Sequence, residues 1–229
     1  MQGDRQVQLL GEALRRVPDG TLLERVVSAA APMLMVSGVA AALMTDEDGG
    51  GVVASSSDVG RDLLELAFQL GEGPSRDSFR GDSEVLVDDL ALDGANRWPV
   101  FSHAAQELGV AAVYAFPARL GAIRIGGLLV HHDRAGSLDH TCLTDARVFA
   151  ELCSTLMVDH QAGLNSDAVM ATGWPTRAGV HQATGMVSVQ LETSLSTALA
   201  RLRAYAYAEE RFLEDVARDV VERRLRLAP

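Results

Sequence analysis

Residues 110–131 read VAAVYAFPARLGAIRIGGLLVH, two apolar runs rich in Val, Ile, Leu and aromatic residues with a break between them. Val110–Pro117 and Ile123–His131 are predicted to be paired strands around a turn near Arg119–Ala122. Upstream, Ser37–Thr45 and Gly51–Ser56 flank DEDGG, a turn-rich segment suited to a hairpin loop, and Glu84–Asp88 (EVLVD) is a further short strand. Helical spacing marks Leu9–Val17, Leu22–Leu34, Arg61–Leu70 and Thr144–Gln161. Pro99–Leu108 is also helical, with Pro99 in its first turn and Gly109 after its end. Helices do not alternate with every strand, so a doubly wound parallel sheet is not expected. The order predicts an α+β unit on an antiparallel sheet, running to about Gln161.

Beyond a composition break at 163–175 no strand signal survives. Arg177–Leu191 carries Val180, Ala183, Val187 and Leu191 on one stripe. Leu195–Ala208 follows with Ser194 as N-cap, and Leu213–Arg226 faces Val216, Ala217 and Val220 inward. This predicts a C-terminal all-α three-helix bundle, too small to be more than marginally stable alone. The expected organisation is an N-terminal helix at 1–18, a sheet-bearing domain at 19–162, a linker at 163–176 and a helical domain at 177–229.

The chain has 229 residues, is 48% hydrophobic and carries a formal net charge of -11. That affords a core, and it argues against indiscriminate nucleic-acid binding while leaving room for a local site. Charge is uneven. From Arg177 onward eight arginines face seven acids, +1, which leaves -12 for the rest. All basic residues are arginine. No run approaches the roughly 18 apolar residues of a membrane span, and the N-terminus lacks the apolar core of a signal peptide. A cytoplasmic location is the expectation. Cys142 and Cys153, eleven residues apart in a helical segment, read as reduced thiols beyond disulfide reach.

Catalytic signatures are missing: there is no dinucleotide fingerprint, P-loop, HExxH or nucleophile elbow. Asp88 and Asp89 are adjacent, so in a strand their side chains point to opposite faces, as do those of His131 and His132. His131, His140 and Cys142 match no common zinc spacing. Neither an enzyme nor a metal site is expected. The segment GEGPSRDSF could line a pocket or form a tight loop.

The stretch ALARLRAYAYAEER, 198–211, places Arg203, Tyr207 and Arg211 at i, i+4 and i+8 on one helical ridge. Cation, aromatic and cation in a row suit a phosphate backbone and a stacked base. The alternative is a solvated face with an Arg–Tyr contact worth about 0.5–1 kcal/mol.

HQATGMVSVQL, STALARLRAYA and LEDVARDVV, in that order, resemble the ANTAR domain, named for transcription antitermination regulators. The matching positions are Ala183, Gly185 and Met186; Ala198, Leu202, Arg203 and Ala206; and Val216, Ala217, Val220 and Val221. Residues 20–160 resemble a GAF domain through ALMTDEDGGGVVASS, LGEGPSRDSF and VYAFPARLGAIRIGGLLVHH before a long helix.

These resemblances imply a cytoplasmic antitermination regulator. Its GAF-like domain would sense a small-molecule or redox signal of unknown identity, and no cofactor is named by the sequence. Its helical domain would bind stem-loops of nascent leader RNA. Arg177, His181, Arg203, Tyr207 and Arg211 are the candidate RNA contacts, since RNA is read by stacking on aromatic or guanidinium planes with arginine on phosphate. A homodimer through Leu22–Leu34 and Thr144–Gln161 is expected, because two RNA sites call for two output domains. The competing reading is a sensor and dimerisation protein whose helical output binds a protein or DNA partner.

Overall fold

The structure, a computed structural model, describes residues 2–45, 50–163 and 174–227. The 110–131 stretch forms two long strands, β4 (Ala112–Leu120) and β5 (Ile123–His132). They pair antiparallel, with Ala115 opposite Leu129 and Leu120 opposite Ile123. Gly121 and Ala122 alone make the turn, and Gly121, at φ 61°, supplies the positive φ of a primed hairpin turn. With β1 (Gly38–Met44), β2 (Gly50–Ser55) and β3 (Val85–Val87) they complete a five-stranded sheet of order β2-β1-β5-β4-β3. Every neighbouring pair is antiparallel.

Alternation along these strands sorts side chains between two cores. Val39, Ala41, Tyr114, Phe116, Leu128 and Val130 face one, and Ala40, Ala42, Val113, Ala115 and Leu129 the other. Both faces are covered, so the strands read as unbroken apolar runs. The first face lies under α1 (Gln2–Arg16), α2 (Leu22–Met33) and α7 (His140–Gly163). The second lies under α3 (Asp58–Leu70), α4 (Pro74–Gly81), α5 (Ala95–Arg97) and α6 (Pro99–Glu107), with a π-helical turn at Leu90–Gly94.

Local chemistry fixes the helix ends. Thr21 and Glu24 form a reciprocal capping box on α2. Arg25 donates to the Val17 and Leu14 carbonyls, answering the last turn of α1. Segment 71–79, read as a loop or pocket lining, is mostly helical. Pro74 opens α4, whose Ser75, Arg76, Ser78 and Phe79 are buried. Arg76 and Asp77 disguised the segment, because burial of an arginine is not legible in a polar run.

α1 begins at Gln2, seven residues before the predicted start, and packs across both α2 and α7. Arg5 Nε reaches Asp145 Oδ1 at 2.7 Å, and Gln6 donates to Glu151. The apolar residues of the two segments expected to form a dimer, including Val26, Val27, Ala30, Phe149, Cys153 and Met157, lie inside this chain's own core. A dimer across them would meet the polar remainder, such as Arg147, which is already paired with Glu84 at 2.7 Å.

The C-terminal helices are α8 (Trp174–Leu191), α9 (Leu195–Ala208) and α10 (Leu213–Val221). Helix α10 stops five residues before the predicted Arg226, and Arg223 beyond it takes a positive φ of 61°. Val180, Ala183, Val187, Ala198, Leu199, Leu202, Ala206, Val216, Ala217 and Val220 share one core. The small residues at 183, 198, 206 and 217 let short helices approach closely. Phe68 of α3 belongs to that same core, so the helical unit is seated on the sheet unit. The linker segment 164–173 and the 46–49 loop lie outside the described residues. No described helix is long and apolar enough to cross a membrane.

Candidate functional site

Ser194 caps α9 by accepting from the Thr197 N–H at 3.1 Å. One face of α9 enters the core, which turns Arg203 toward α3. Arg203 is 9% exposed. Its Nε donates to the Phe68 carbonyl oxygen at 2.9 Å, and its guanidinium lies 5.3 Å from the centre of the Phe68 ring. Phe68 sits in the last turn of α3, whose orphan carbonyls attract a cation. That helix ends in Gly71, in the left-handed region at φ 73°. A β-carbon on Gly71 would stand 3.1–3.3 Å from the guanidinium and its stem, so the glycine also makes room for the arginine.

The ridge of Arg203, Tyr207 and Arg211 is only partly helical. Helix α9 stops at Ala208, Glu210 adopts φ 51°, and Arg211 therefore leaves the i+8 register. All three still line one cleft of about 250 Å³, whose opposite wall is Gln69 and Leu70 of α3. Tyr207 is 62% exposed. Arg211 Nη2 holds Asp219 at 2.6 Å, and Arg224 holds the same carboxylate at 2.7 Å. Hydrogen bonds from Arg211 first, then Arg224, keep the Asp219 carboxyl below its usual range. His181 is exposed on α8 and does not line this cleft. Arg177 lies in α8, but its side chain is outside the described residues.

Sequence reasoning missed Phe68 and Gly71. A helix-closing glycine was legible at 71. Nothing in the sequence couples it to a residue more than 130 positions away.

On the second face of the sheet, the hydroxyls of Ser75 (α4) and Ser102 (α6) are buried without a hydrogen-bond partner. An unanswered buried hydroxyl costs about 1–3 kcal/mol, so these two mark this layer as unfinished. Two nearby carboxylates are satisfied. Glu72 Oε1 accepts from the Val100 and Phe101 N–H groups at 3.1 and 2.8 Å, capping α6. Asp77 accepts from Trp98 Nε1 and Arg97, both at 3.1 Å.

The cysteines are free and buried. Burial pushes the Cys153 thiol up to about 12 and raises Cys142 as well, so neither supplies a thiolate at neutral pH. Among the described residues no three His, Cys, Asp or Glu side chains gather as a metal site.

His131 ends the sheet-deciding stretch and is 3% exposed. Its Nε2 lies 3.1 Å from Ser57 Oγ, which also accepts from the Gly60 N–H to cap α3. The ring thus ties β5 to the start of α3. Burial, then the charge of His132, lower its pKa from 6.5 to about 4, while Asp133 opposes the shift. The unfolded chain therefore binds the extra proton first. Stability from this group is complete above about pH 6.5 and is lost as pH falls toward 4. Urea unfolding at pH 5 should give a stability about 2 kcal/mol below that at pH 7 from His131 alone, and His131→Gln should remove that part of the slope.

No family model and no curated protein sequence matches the chain. Solved structures do. The GAF domain of an Acinetobacter phosphoenolpyruvate-protein phosphotransferase superposes with a TM-score of 0.52 at 12% identity, covering 70% of this chain and 97% of that one. The GAF domain of the phosphoenolpyruvate-protein phosphotransferase from Coxiella burnetii gives 0.52 at 14% identity, covering 69% and 96%. The sheet-bearing part of this chain therefore has the fold of a GAF domain.

Proposed function

We propose that the protein is a signal-responsive regulator in which the GAF-fold unit gates an RNA-binding helical output of the ANTAR type. The observation that carries this reading is the seating of Arg203 in the last turn of α3. A cation of the candidate RNA ridge is taken up by the sensor unit, and Gln69 and Leu70 wall the cleft where Tyr207 and Arg211 meet it. In this docked arrangement the ridge lacks its Arg203 cation for a nucleic-acid backbone, while Tyr207 stays exposed. Undocking turns it outward, and a ligand that binds the two arrangements unequally shifts their populations.

Support for an ANTAR-type output comes from the motif match and from the burial of its small and apolar positions, Ala183, Ala198, Leu202, Ala206, Val216, Ala217 and Val220. Support for small-molecule sensing comes from Ser75 and Ser102, whose buried hydroxyls have no hydrogen-bond partner. The raised thiol pKa values weigh against a cysteine-based redox signal. A second reading, capture of a protein partner by the helical unit, is favoured by one observation. A cleft of about 720 Å³ between α8 and α10 is lined by Gly185, Met186 and Val220, and Val189 on its rim is 80% exposed.

Binding of the full chain to the leader RNA of its own operon, at two salt concentrations, tests the proposal. Affinity should fall with salt at a slope of about -0.7 per contacted phosphate. Tyr207→Ala with Arg211→Ala should weaken binding at least about tenfold, given that base stacking alone contributes about 1–3 kcal/mol. Unchanged binding in the double variant would remove the ridge from the RNA site.

A further inference from the structure

A second, larger cleft of about 430 Å³ lies at the junction of the two units. Its sheet-unit wall includes Glu72, Arg80 and Val100, and its helical wall includes Ser196, Arg203 and Tyr207. The volume falls in the range of small-molecule sites, about 300–1,000 Å³. Two guanidinium groups from different units share this cleft in a chain whose net charge is -11. The one carboxylate among them, Glu72, already faces two backbone N–H groups at the start of α6. The cleft thus presents two guanidinium groups beside the Ser196 and Tyr207 hydroxyls, with Val100 as apolar contact.

We infer that this junction cleft binds a small molecule bearing an oxyanion, a phosphate or a carboxylate, and that its occupancy holds the two units together. Guanidinium groups recognise such oxyanions through paired, charge-assisted hydrogen bonds. The walls come from both units, so the site is complete only when α9 is docked on α3. A ligand bound there stabilises the docked arrangement by mass action. This deepens the gating reading: the junction ligand is the signal that keeps the RNA ridge closed.

The test is thermal unfolding of the full chain with inorganic phosphate or acetate, each added at constant ionic strength. Arg80→Gln, at an exposed position, serves as the site variant. One anion, present well above its dissociation constant, should raise the midpoint by about 2–4 °C in the wild type and not in Arg80→Gln, and which anion acts identifies the group recognised. No rise with either anion, or an equal rise in the variant, overturns the site. Leader-RNA capture in the same solutions separates the two claims. An Arg80-dependent rise with weakened RNA capture supports both. The same rise in a protein that captures no RNA, with or without anion, keeps the site and discards the RNA output.

Discussion

Arg203→Ala is expected to lower the stability of the full chain by about 2–3 kcal/mol and to uncouple the unfolding of its two units. The change removes a charged hydrogen bond to the Phe68 carbonyl at a helix end, a class worth about 1.5–3 kcal/mol. It also removes the guanidinium from above the Phe68 ring, a contact worth up to about 2 kcal/mol when desolvated. The two losses share one side chain and do not add fully. Arg203→Lys should recover little, because a point-charge ammonium cannot donate in the plane of the fork and stack as well. Urea unfolding in a Trp174→Phe background, which leaves Trp98 as the single tryptophan, followed by fluorescence and by far-ultraviolet circular dichroism, checks this. The wild-type curves should coincide, whereas in Arg203→Ala the helical signal should be lost first. Coincident curves in the variant, with a loss under about 0.5 kcal/mol, would mean that the arginine does not join the units.

Gly126→Ala is expected to be at least as damaging, at about 3 kcal/mol or more. Gly126 pairs with Leu43 across β1 and β5. A β-carbon there would overlap the Ala42 carbonyl oxygen and stand 3.0 Å from the Ala42 carbonyl carbon and 3.1 Å from Leu43 Cα. These are backbone atoms of a central strand, so relief requires breaking the β1–β5 ladder. Gly127→Ala is the internal control. Its β-carbon meets only the Phe116 carbonyl oxygen, at 3.2 Å, which needs a shift of a few tenths of an ångström. Similar losses for the two variants would show that side-chain entropy or strand propensity, not backbone approach, sets the cost at this pair.

That pair of glycines illustrates what the sequence displays and what it withholds. IRIGGLLVH announces a strand through its β-branched and aliphatic residues, and the antiparallel sheet follows from it and its neighbour. Which glycine lies against a backbone depends on register with β1, which no local pattern encodes. The start of helix α9 was legible, because Ser194 supplies a cap. Helix α4 was not, because its buried face is built from Ser75, Arg76, Ser78 and Phe79, which break the apolar period. The candidate ridge was legible as a set of residue types. Its geometry was not: burial of Arg203 is set by a partner in α3, and displacement of Arg211 by a left-handed residue that sequence spacing alone treats as helix.

The central claim is that docking of α9 on α3 closes an RNA-binding surface. The most direct measurement compares leader-RNA affinity of the full-length wild type with that of Gly71→Asn. Asparagine tolerates the left-handed φ at a helix C-cap, so α3 keeps its end. Its side chain meets the Arg203 guanidinium and displaces it from α3 without substituting any ridge residue. The account predicts that Gly71→Asn binds the RNA about tenfold more tightly, the effect of about 1.4 kcal/mol of docking energy no longer opposing binding. It also predicts that adding Tyr207→Ala and Arg211→Ala abolishes the gain. Equal affinity in wild type and Gly71→Asn, or no capture by either, would contradict it.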